Sequence, residues 1–376
     1  MHNDLKIITI IGARPQFIKV ATVSRAIRQR ITDYYSPAIT ETIIHTGQHF
    51  DANMSEVFFR ELDIPEPDYN FGIGGGSHGK NTGRMIEALE DVLVKEQPDW
   101  VLIYGDTDST LAGAIAAAKL HIPVAHVEAG LRSYNRIMPE EINRIVADQL
   151  STLLFCPTQT AMDNLEKEGF PHALTAHTRQ QVINVGDVMY DAALFYADLA
   201  EEKSRIMQSM ALKPRQFVLA TIHRAENTDD PDRLTNIMSA LNGIAEEIPV
   251  TLPLHPRTQK KLIPQDYPAV TYIEPVGYLD IVMLEKNARV IITDSGGVQK
   301  EAYFHGTPCV TVRNETEWVE LVAAGANVLA GTQSESIVSA FQQMRDKAIA
   351  TRRLYGDGNA AGKILSTLKS GRIGKS

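Results

Sequence analysis

Residues 100–120 read WVLIYGDTDSTLAGAIAAAKL, and this stretch shows the unit from which the fold is built. Trp100–Tyr104 is an unbroken apolar run, as expected for a parallel strand covered on both faces. The run ends in glycine, aspartate and hydroxyl residues, and a helix is predicted over Ser109–Leu120. A second copy begins at Val290, where VIITDSGGVQKEA passes through Asp294 into a helix. Ligands of such sheets bind beyond the carboxyl ends of the strands, so both turns are candidate site positions.

Short apolar runs alternate with helical patterns along the rest of the chain. This alternation predicts an α/β fold of two doubly wound, Rossmann-like domains that face a cleft. The predicted strands are Lys6–Ile11, Thr42–His45, Trp100–Tyr104, Val124–Val127, Leu153–Cys156, Val182–Val185, Phe217–Thr221, Val250–Leu254, Val270–Ile273, Val290–Thr293 and Cys309–Val312. The predicted helices include Phe17–Gln29, Arg84–Lys95, Ser109–Leu120 and Pro231–Ile248.

The two series of strands divide the chain into an N-terminal domain, 1–185, and a C-terminal domain, 186–356. A long helix is expected over Val188–Met210, just after the boundary. The tail, 357–376, is expected to pack back on the first domain. A length of 376 residues suits two domains, each large enough to bury its own core.

Composition and charge exclude several classes of protein. Apolar residues make up 44% and charged residues 22% of the chain, which excludes disordered, collagen-like and disulfide-stapled chains. The net charge of −9 argues against nucleic acid or an anionic membrane as the main partner. Cys156 and Cys309 lie in apolar runs and are expected to be reduced. With no signal peptide and no apolar stretch of about 20 residues, the sequence predicts a cytoplasmic protein.

The first strand–helix turn, IIGARPQFIK, has the composition of an anion site. Arg14 and Lys19 lie at the predicted start of the helix, where backbone N–H groups and the helix dipole favour phosphate. The alternative is an ordinary loop with solvated cations.

The turn TDSGGVQKE is the stronger candidate for a diphosphate site. Ser295 can cap the helix, and Gly296 and Gly297 allow the backbone to approach a diphosphate closely. Glu301, two turns further on, can accept hydrogen bonds from ribose hydroxyls. The alternative is a capped helix with a solvated glutamate.

One motif match is misleading. Gly74, Gly76 and Gly79 fit the dinucleotide pattern G-x-G-x-x-G, which is weak evidence alone. They follow a loop rich in proline and aspartate, so we predict a mobile loop near the cleft and no nicotinamide site.

The candidates for acid–base chemistry are carboxylates at the ends of predicted strands. Asp106 and Glu128 occupy such positions, and Glu140 lies in the first turn of a predicted helix. On that helix Glu140, Arg144 and Asp148 share one face, for which the alternative is a solvated row of salt bridges.

His223 ends a strand of the second domain and lies where the cleft is expected. No metal-binding pattern such as C-x-x-C or H-E-x-x-H occurs. The residues alone therefore predict a two-domain protein that binds a phosphorylated, nucleotide-linked ligand, and they leave the reaction open.

Eight motifs in order and spacing are similar to those of a known family. GARPQFIK, TGQHFD, YGDTDST, HVEAGLRS, MPEEINR, TIHRAEN, LPLHPRT and TDSGGVQKEA resemble the non-hydrolysing UDP-N-acetylglucosamine 2-epimerases over nearly the whole chain. The resemblance implies the glycosyltransferase-B fold, UDP held mainly by the second domain, and a homodimer. It implies no metal and no nicotinamide cofactor.

The resemblance also implies roles for individual residues. In the family, UDP leaves C1 as the C2 proton is removed, and both then add back with C2 inverted. The resemblance implies acid–base roles for Asp106, Glu128 and Glu140, a place near the diphosphate for His223, and a basic pair in Arg14 and Lys19. It implies UDP contacts for Ser295 and Gly297, with Glu301 at the ribose.

Departures from the family pattern point to a particular branch. Trp318 stands in TEWVELV where an arginine is usual, and the sequence looks more like the enzymes that epimerise UDP-2,3-diacetamido-2,3-dideoxy-glucuronate for O-antigen synthesis. A uronate requires a further cation near C6, and Arg132, Arg136 or Arg313 are the candidates. UDP-N-acetylglucosamine remains the alternative substrate. A retaining glycosyltransferase, a hydrolysing epimerase and a non-catalytic sensor are more distant alternatives.

Overall fold

The computed structural model describes residues 4–30, 38–47, 66–175, 179–350 and 354–371. The chain divides into two compact units, Met1–Ala192 with Arg353–Ser376, and Ala193–Arg352. The domain boundaries inferred from the sequence lie close to this division, and they stay a prediction about which segments fold independently.

Parallel strands form one sheet in each unit, as the apolar runs predict. The strands of the first unit are β1 (Leu5–Ile11), β2 (Ile39–His45), β3 (Tyr69–Asn70), β4 (Trp100–Tyr104), β5 (Val124–Val127), β6 (Leu153–Cys156) and β7 (Gln181–Asn184). Those of the second are β8 (Val218–Thr221), β9 (Val250–Pro253), β10 (Thr271–Ile273), β11 (Val290–Thr293), β12 (Cys309–Thr311) and β13 (Asn327–Leu329).

Helices connect these strands. They are α1 (Arg14–Arg30), α2 (His78–Glu96), α3 (Asp108–Lys119), α4 (Pro139–Leu150), α5 (Gln159–Lys167), α6 (Val188–Lys203), α7 (Ile206–Ser209), α8 (Ala225–Thr228), α9 (Pro231–Ala245), α10 (Pro256–Gln259), α11 (Tyr278–Asn287), α12 (Gly296–Phe304), α13 (Val319–Ala323), α14 (Ser334–Met344) and α15 (Ala360–Ser370).

The order of the strands fixes where each sheet can bind a ligand. The described strands of the first unit run β3-β2-β1-β4-β5-β6-β7, and those of the second run β10-β9-β8-β11-β12-β13. The direction of winding reverses between β1 and β4 and between β8 and β11. Doubly wound sheets bind ligands at the carboxyl ends of the strands at this switch point.

Burial on both faces explains the unbroken apolar strands. Every residue of β4 is buried, and Val101 and Ile103 share a core with Met85 and Leu89 of α2. In the first unit α15 packs against α1, and its first two N–H groups donate to the carboxylate of Asp191 over 3.1 and 2.9 Å.

Two local expectations are wrong. The predicted helix Val188–Met210 breaks after Lys203, because the Ser204 hydroxyl donates to Asp280 and accepts from the backbone N–H of Ile206. The segment predicted as a loop around Gly74–Gly79 becomes helical earlier than expected, since α2 begins at His78. The short strands β3 and β13 escape prediction because two or three residues show no period.

Candidate active site

In the first unit, Gln16 joins the turns that follow β1 and β4. Its side-chain oxygen accepts from the backbone N–H groups of Gly12 and Ala13 over 2.8 and 3.0 Å. Its amide nitrogen donates to the carbonyl of Tyr104 over 2.8 Å and to the hydroxyl of Thr110 over 3.1 Å. The two turns on either side of the switch point are therefore held as one structure.

Lys19 and Glu128 meet at this edge of the sheet. The Lys19 ammonium forms an ion pair with the Glu128 carboxylate, and the two side chains are 10% and 7% exposed. Glu128 follows β5 and has a positive φ of 73°, which is uncommon for a residue other than glycine, and strained residues of this kind cluster at functional sites. The ammonium compensates the charge of a largely desolvated carboxylate.

Asp106 lies beside this pair and is held by two residues of α4. Arg144 Nη2 donates to Asp106 Oδ2 over 2.5 Å, and Asn143 Nδ2 donates to the Asp106 carbonyl over 2.9 Å. Burial raises the pKa of Asp106, with a further rise from Glu128, while the charge on Arg144 offsets part of this rise. The side chain is still 30% exposed, so the carboxylate can reach a ligand.

The polar face of α4 points inward. Arg144 and Asp148 are buried and Ile142 is 48% exposed, so a solvated row of salt bridges is the wrong interpretation for these two residues. Buried Glu141 accepts from the N–H groups of Ser133 and Tyr134 over 2.9 and 3.0 Å. Glu140, its neighbour, is exposed.

Arg144 has hydrogen-bond donors that its contact with Asp106 does not use. Its Nε and Nη1 atoms are buried and have no hydrogen-bond acceptor among the described residues, although Nη1 lies 3.5 Å from Glu141 Oε2. A buried guanidinium of this kind favours an oxygen-rich ligand, because unmet donors are costly.

In the second unit, Asp294 organises the switch point. Its buried carboxylate accepts from the backbone N–H of His223 over 3.1 Å, from that of Arg224 over 3.0 Å, and from the amide of Asn227 over 3.1 Å. His223 Nδ1 lies 3.5 Å from the same carboxylate, and the imidazole is 38% exposed. Asp294 therefore fixes the turn that presents His223.

Ser295, Gly296 and Gly297 begin α12 directly after Asp294. Ser295 is the N-cap, as predicted, and its hydroxyl faces the N–H of Val298 over 3.5 Å. A Cβ atom at Gly296 would lie 2.5 Å from Glu317 Oε1, whereas at Gly297 the nearest side-chain or backbone atom is 4.0 Å away. Only Gly297 leaves open space in front of the helix.

Glu301, Arg313 and Trp318 are all buried in the second unit. Tyr278 Oη donates to Glu301 Oε1 over 3.3 Å. Arg313 Nη1 lies 3.1 Å from Glu317 Oε2, so part of its charge is already neutralised. The ring of Trp318 lies under Lys300 Nζ at 4.2 Å, a cation–π contact.

The structure brings together Lys19, Asp106, Glu128 and Arg144 in the first unit, and His223 and the start of α12 in the second. The side chain of Arg14 lies outside the described residues. Arg132 is no longer a candidate for the C6 cation, because it donates to Glu168 over 2.7 and 2.8 Å and to Asp148 over 2.7 Å.

Sequence reasoning missed the buried residues that support the site, above all Gln16 and His126. His126 lies within the apolar strand VAHV, and a polar residue in such a strand signals a buried hydrogen-bonded group. Gln16 has no comparable local signal.

Among the described residues, no group of three or more His, Cys, Asp or Glu side chains is arranged to hold a metal ion. No described helix combines the length and apolar character needed to cross a membrane.

This chain is similar to known proteins over most of its length. A family model described as UDP-N-acetylglucosamine 2-epimerase matches residues 34–369. The UDP-2,3-diacetamido-2,3-dideoxy-D-glucuronate 2-epimerase of Pseudomonas aeruginosa is 53% identical over 97% of this chain and 99% of its own.

Two solved structures are also similar over their whole length. The UDP-GlcNAc 2-epimerase of Methanocaldococcus jannaschii, in complex with UDP-GlcNAc and UDP, has a TM-score of 0.84 at 41% identity, over 98% of this chain and 100% of that one. The enzyme of Neisseria meningitidis, bound to UDP-GlcNAc, has a TM-score of 0.85 at 32% identity, over 97% and 100%. These likenesses confirm the predicted fold class.

Proposed function

Because this chain belongs to the UDP-N-acetylglucosamine 2-epimerase family, whose relatives named above are isomerases, we propose that it inverts C2 of UDP-2,3-diacetamido-2,3-dideoxy-D-glucuronate without hydrolysis. The identity of 53% to the enzyme named for that substrate favours it over UDP-N-acetylglucosamine, for which the M. jannaschii enzyme at 41% is named. UDP-N-acetylglucosamine is the second candidate.

The reaction is an elimination followed by an addition. A base takes the C2 proton, the electron pair of that bond forms the C1–C2 double bond, and the C1–O bond breaks to release UDP. In the addition, a proton reaches C2 on the opposite face and a UDP oxygen returns to C1. The site must therefore offer two proton-transfer groups and stabilise the charge of the departing diphosphate.

The observation that carries the proposal is the pair of unlike carboxylates in the first unit. Glu128 forms an ion pair with Lys19, whereas burial raises the pKa of Asp106. Two carboxyl groups in such unlike surroundings are suited to opposite steps of a proton transfer. We assign Asp106 and Glu128 to the proton transfers, with exposed Glu140 as a third catalytic group.

The start of α12 is the proposed diphosphate site. The N-terminus of a helix attracts phosphate, and Gly297 leaves its backbone open to close approach. His223 is presented by Asp294 from the adjacent turn. We assign Glu301 to the ribose, and Arg14, Lys19, Arg144 and Gly296 to substrate binding.

A uronate carries a carboxylate at C6, for which Arg136 and Arg313 are the proposed partners. Arg136 is exposed, and Arg313 is buried beside Glu317. Replacing each by methionine tests the assignment. The preference for the uronate over the neutral sugar is expected to fall in one variant, and an unchanged preference in both would remove these residues from the proposal.

The decisive experiment is proton NMR in D₂O with the two sugars in parallel. Loss of the C2 proton signal and appearance of manno-configured product from the uronate alone would support the proposal. Exchange with UDP-N-acetylglucosamine alone would favour the second candidate. UDP binding with no exchange would overturn the epimerase function and favour a glycosyltransferase of the same fold or a sensor.

Three wider expectations belong to the same proposal. The protein is a homodimer, acts in the cytoplasm and supplies a sugar for O-antigen or another surface polysaccharide. Light scattering tests the first, fractionation the second, and the polysaccharide composition of a deletion strain the third.

A further inference from the structure

His126 is a completely buried histidine between two hydrogen-bond acceptors. Its Nδ1 lies 2.8 Å from Asp148 Oδ1, and its Nε2 lies 2.7 Å from the carbonyl oxygen of Gly105. A carbonyl oxygen can only accept, so Nε2 carries a proton. The ring is charged if the proton between Nδ1 and Asp148 Oδ1 lies on Nδ1, and it is neutral if that proton lies on Asp148.

The surroundings of Asp148 place that proton on the ring. Asp148 Oδ2 accepts from Arg132 Nη1 over 2.7 Å and from the N–H of Gly130 over 3.2 Å. These two donors, together with the guanidinium charge of Arg132, stabilise the anionic form of this buried carboxylate. Asp148 is therefore ionised and Nδ1 donates to it.

The balance of charge supports the same assignment. Arg132 donates to Asp148 and to both carboxylate oxygens of Glu168. With a charged imidazole, two cations face two anions in this network. With a neutral ring, Arg132 alone would face two carboxylates, that of Asp148, which is wholly buried, and that of Glu168, which is 31% exposed.

The acceptor of Nε2 lies directly next to Asp106. Gly105 has a φ of 61°, its N–H donates to the carbonyl of Val127 over 3.0 Å, and its carbonyl accepts from His126. Both backbone polar groups of Gly105 are thus tied to β5, the strand that leads into Glu128. The bond from His126 fixes the plane of the peptide that joins Gly105 to Asp106.

We propose that His126 is a doubly protonated imidazolium that acts as a positioning residue, holding the Gly105–Asp106 peptide so that the Asp106 carboxylate faces the sugar. The proposal rests on the proposed function, because it takes Asp106 to act in the reaction. His126 itself touches only protein groups among the described residues, and its effect on chemistry passes through the backbone of Asp106.

The first test measures directly which nitrogens of the His126 ring carry a proton. Protein labelled with ¹⁵N at its histidines is examined by NMR at pH 7, and the His126 signals are assigned by their loss in His126→Gln. Two proton-bearing ring nitrogens are expected. A ring with a proton on Nε2 alone would overturn the charged state, whether or not the protein is an active epimerase.

The second test separates the bond to Gly105 from the charge. In His126→Gln the amide nitrogen takes the place of Nε2 and can still donate to Gly105, whereas in His126→Asn it takes the place of Nδ1 and faces only Asp148. We expect kcat for C2 proton exchange to fall about a hundredfold in the Asn variant and less than about tenfold in the Gln variant. UDP affinity and KM stay unchanged in both.

The outcomes are distinguishable from failure of the proposed function. Equal losses in the two variants, or losses that follow their melting temperatures, would overturn the positioning role. Should His126→Asn fail to fold, the Gln variant and the ring signals of the unaltered protein still decide the matter. An unaltered protein that exchanges neither sugar would refute the proposed function, and the ring signals would then decide the charged state alone.

Discussion

Arg144 Nη2 lies 2.5 Å from Asp106 Oδ2, and this contact favours the charged form of the proposed acid–base group. Burial raises the pKa of Asp106 and the Arg144 charge lowers it, so loss of that charge raises the pKa further. In Arg144→Met the limb of the pH profile of C2 proton exchange that Asp106 governs is therefore expected to move to higher pH, with kcat about a hundredfold lower.

Arg144→Lys is the matched control for this prediction, because it keeps the positive charge. In Arg144→Lys the limb that Asp106 governs should stay close to that of the unaltered protein even where kcat falls. A limb that does not move in Arg144→Met would show that Asp106 is not the group that titrates.

Glu140 and Glu141 are neighbours in α4 with opposite surroundings, and their glutamine variants should differ accordingly. Glu140 is exposed, so Glu140→Gln is expected to lose C2 proton exchange while the melting temperature stays unchanged. Glu141 accepts from Ser133 and Tyr134, so Glu141→Gln should lower the free energy of unfolding by about 1–3 kcal/mol. Calorimetry and the exchange assay together check both. Full activity of Glu140→Gln would remove that residue from the mechanism.

Gly296 and Gly297 offer a second matched pair. A Cβ at Gly297 meets open space within the protein, and alanine suits a helix better than glycine by about 0.5–1 kcal/mol. Gly297→Ala is thus expected to be as stable as the unaltered protein or slightly more so, and to bind UDP at least about tenfold more weakly, because its methyl group occupies the space of the diphosphate.

The contrast with Gly296→Ala gives this prediction its control. There the methyl group would displace the Glu317 carboxylate, which pairs with Arg313 over 3.1 Å, so stability should fall as well as affinity. Titration calorimetry with UDP and thermal unfolding distinguish the two. Unchanged UDP affinity in Gly297→Ala would move the diphosphate away from α12.

The sequence was sufficient for the longer strands because burial on both faces leaves an apolar run, as in Trp100–Tyr104. It also predicted that Asp106 and Glu128 follow strands and that Ser295 caps a helix, as the structure shows, whereas their part in a ligand site stays a prediction. It misjudged α4, because the rule that polar faces are solvated fails where Arg144 and Asp148 have buried partners.

Contacts between residues far apart in the chain could not be predicted from the sequence. Gln16 joins its own turn to Tyr104 and Thr110, residues far away in the chain, and His126 reaches the carbonyl of Gly105 in the turn after β4. Such bonds depend on the register of β1, β4 and β5, which no local pattern specifies. They can be assigned only once the positions of the strands are known.

Glu285 carries the last prediction, because its carboxyl group is fully buried with no hydrogen-bond partner for either oxygen among the described residues. Burial raises its pKa well above the usual value, and the charge of Glu301 adds to the rise. A group whose pKa is higher in the folded state takes up a proton on folding, so its contribution to stability falls as pH rises towards the folded-state pKa.

Glu285→Gln removes this loss of stability at high pH. The melting temperature of the variant should therefore exceed that of the unaltered protein at pH 8 by more than at pH 5. The exposed residue Glu335 provides the control, since Glu335→Gln should change little at either pH. An advantage of Glu285→Gln that is equal at both pH values would show that repacking, and not removal of a buried charge, stabilises the variant.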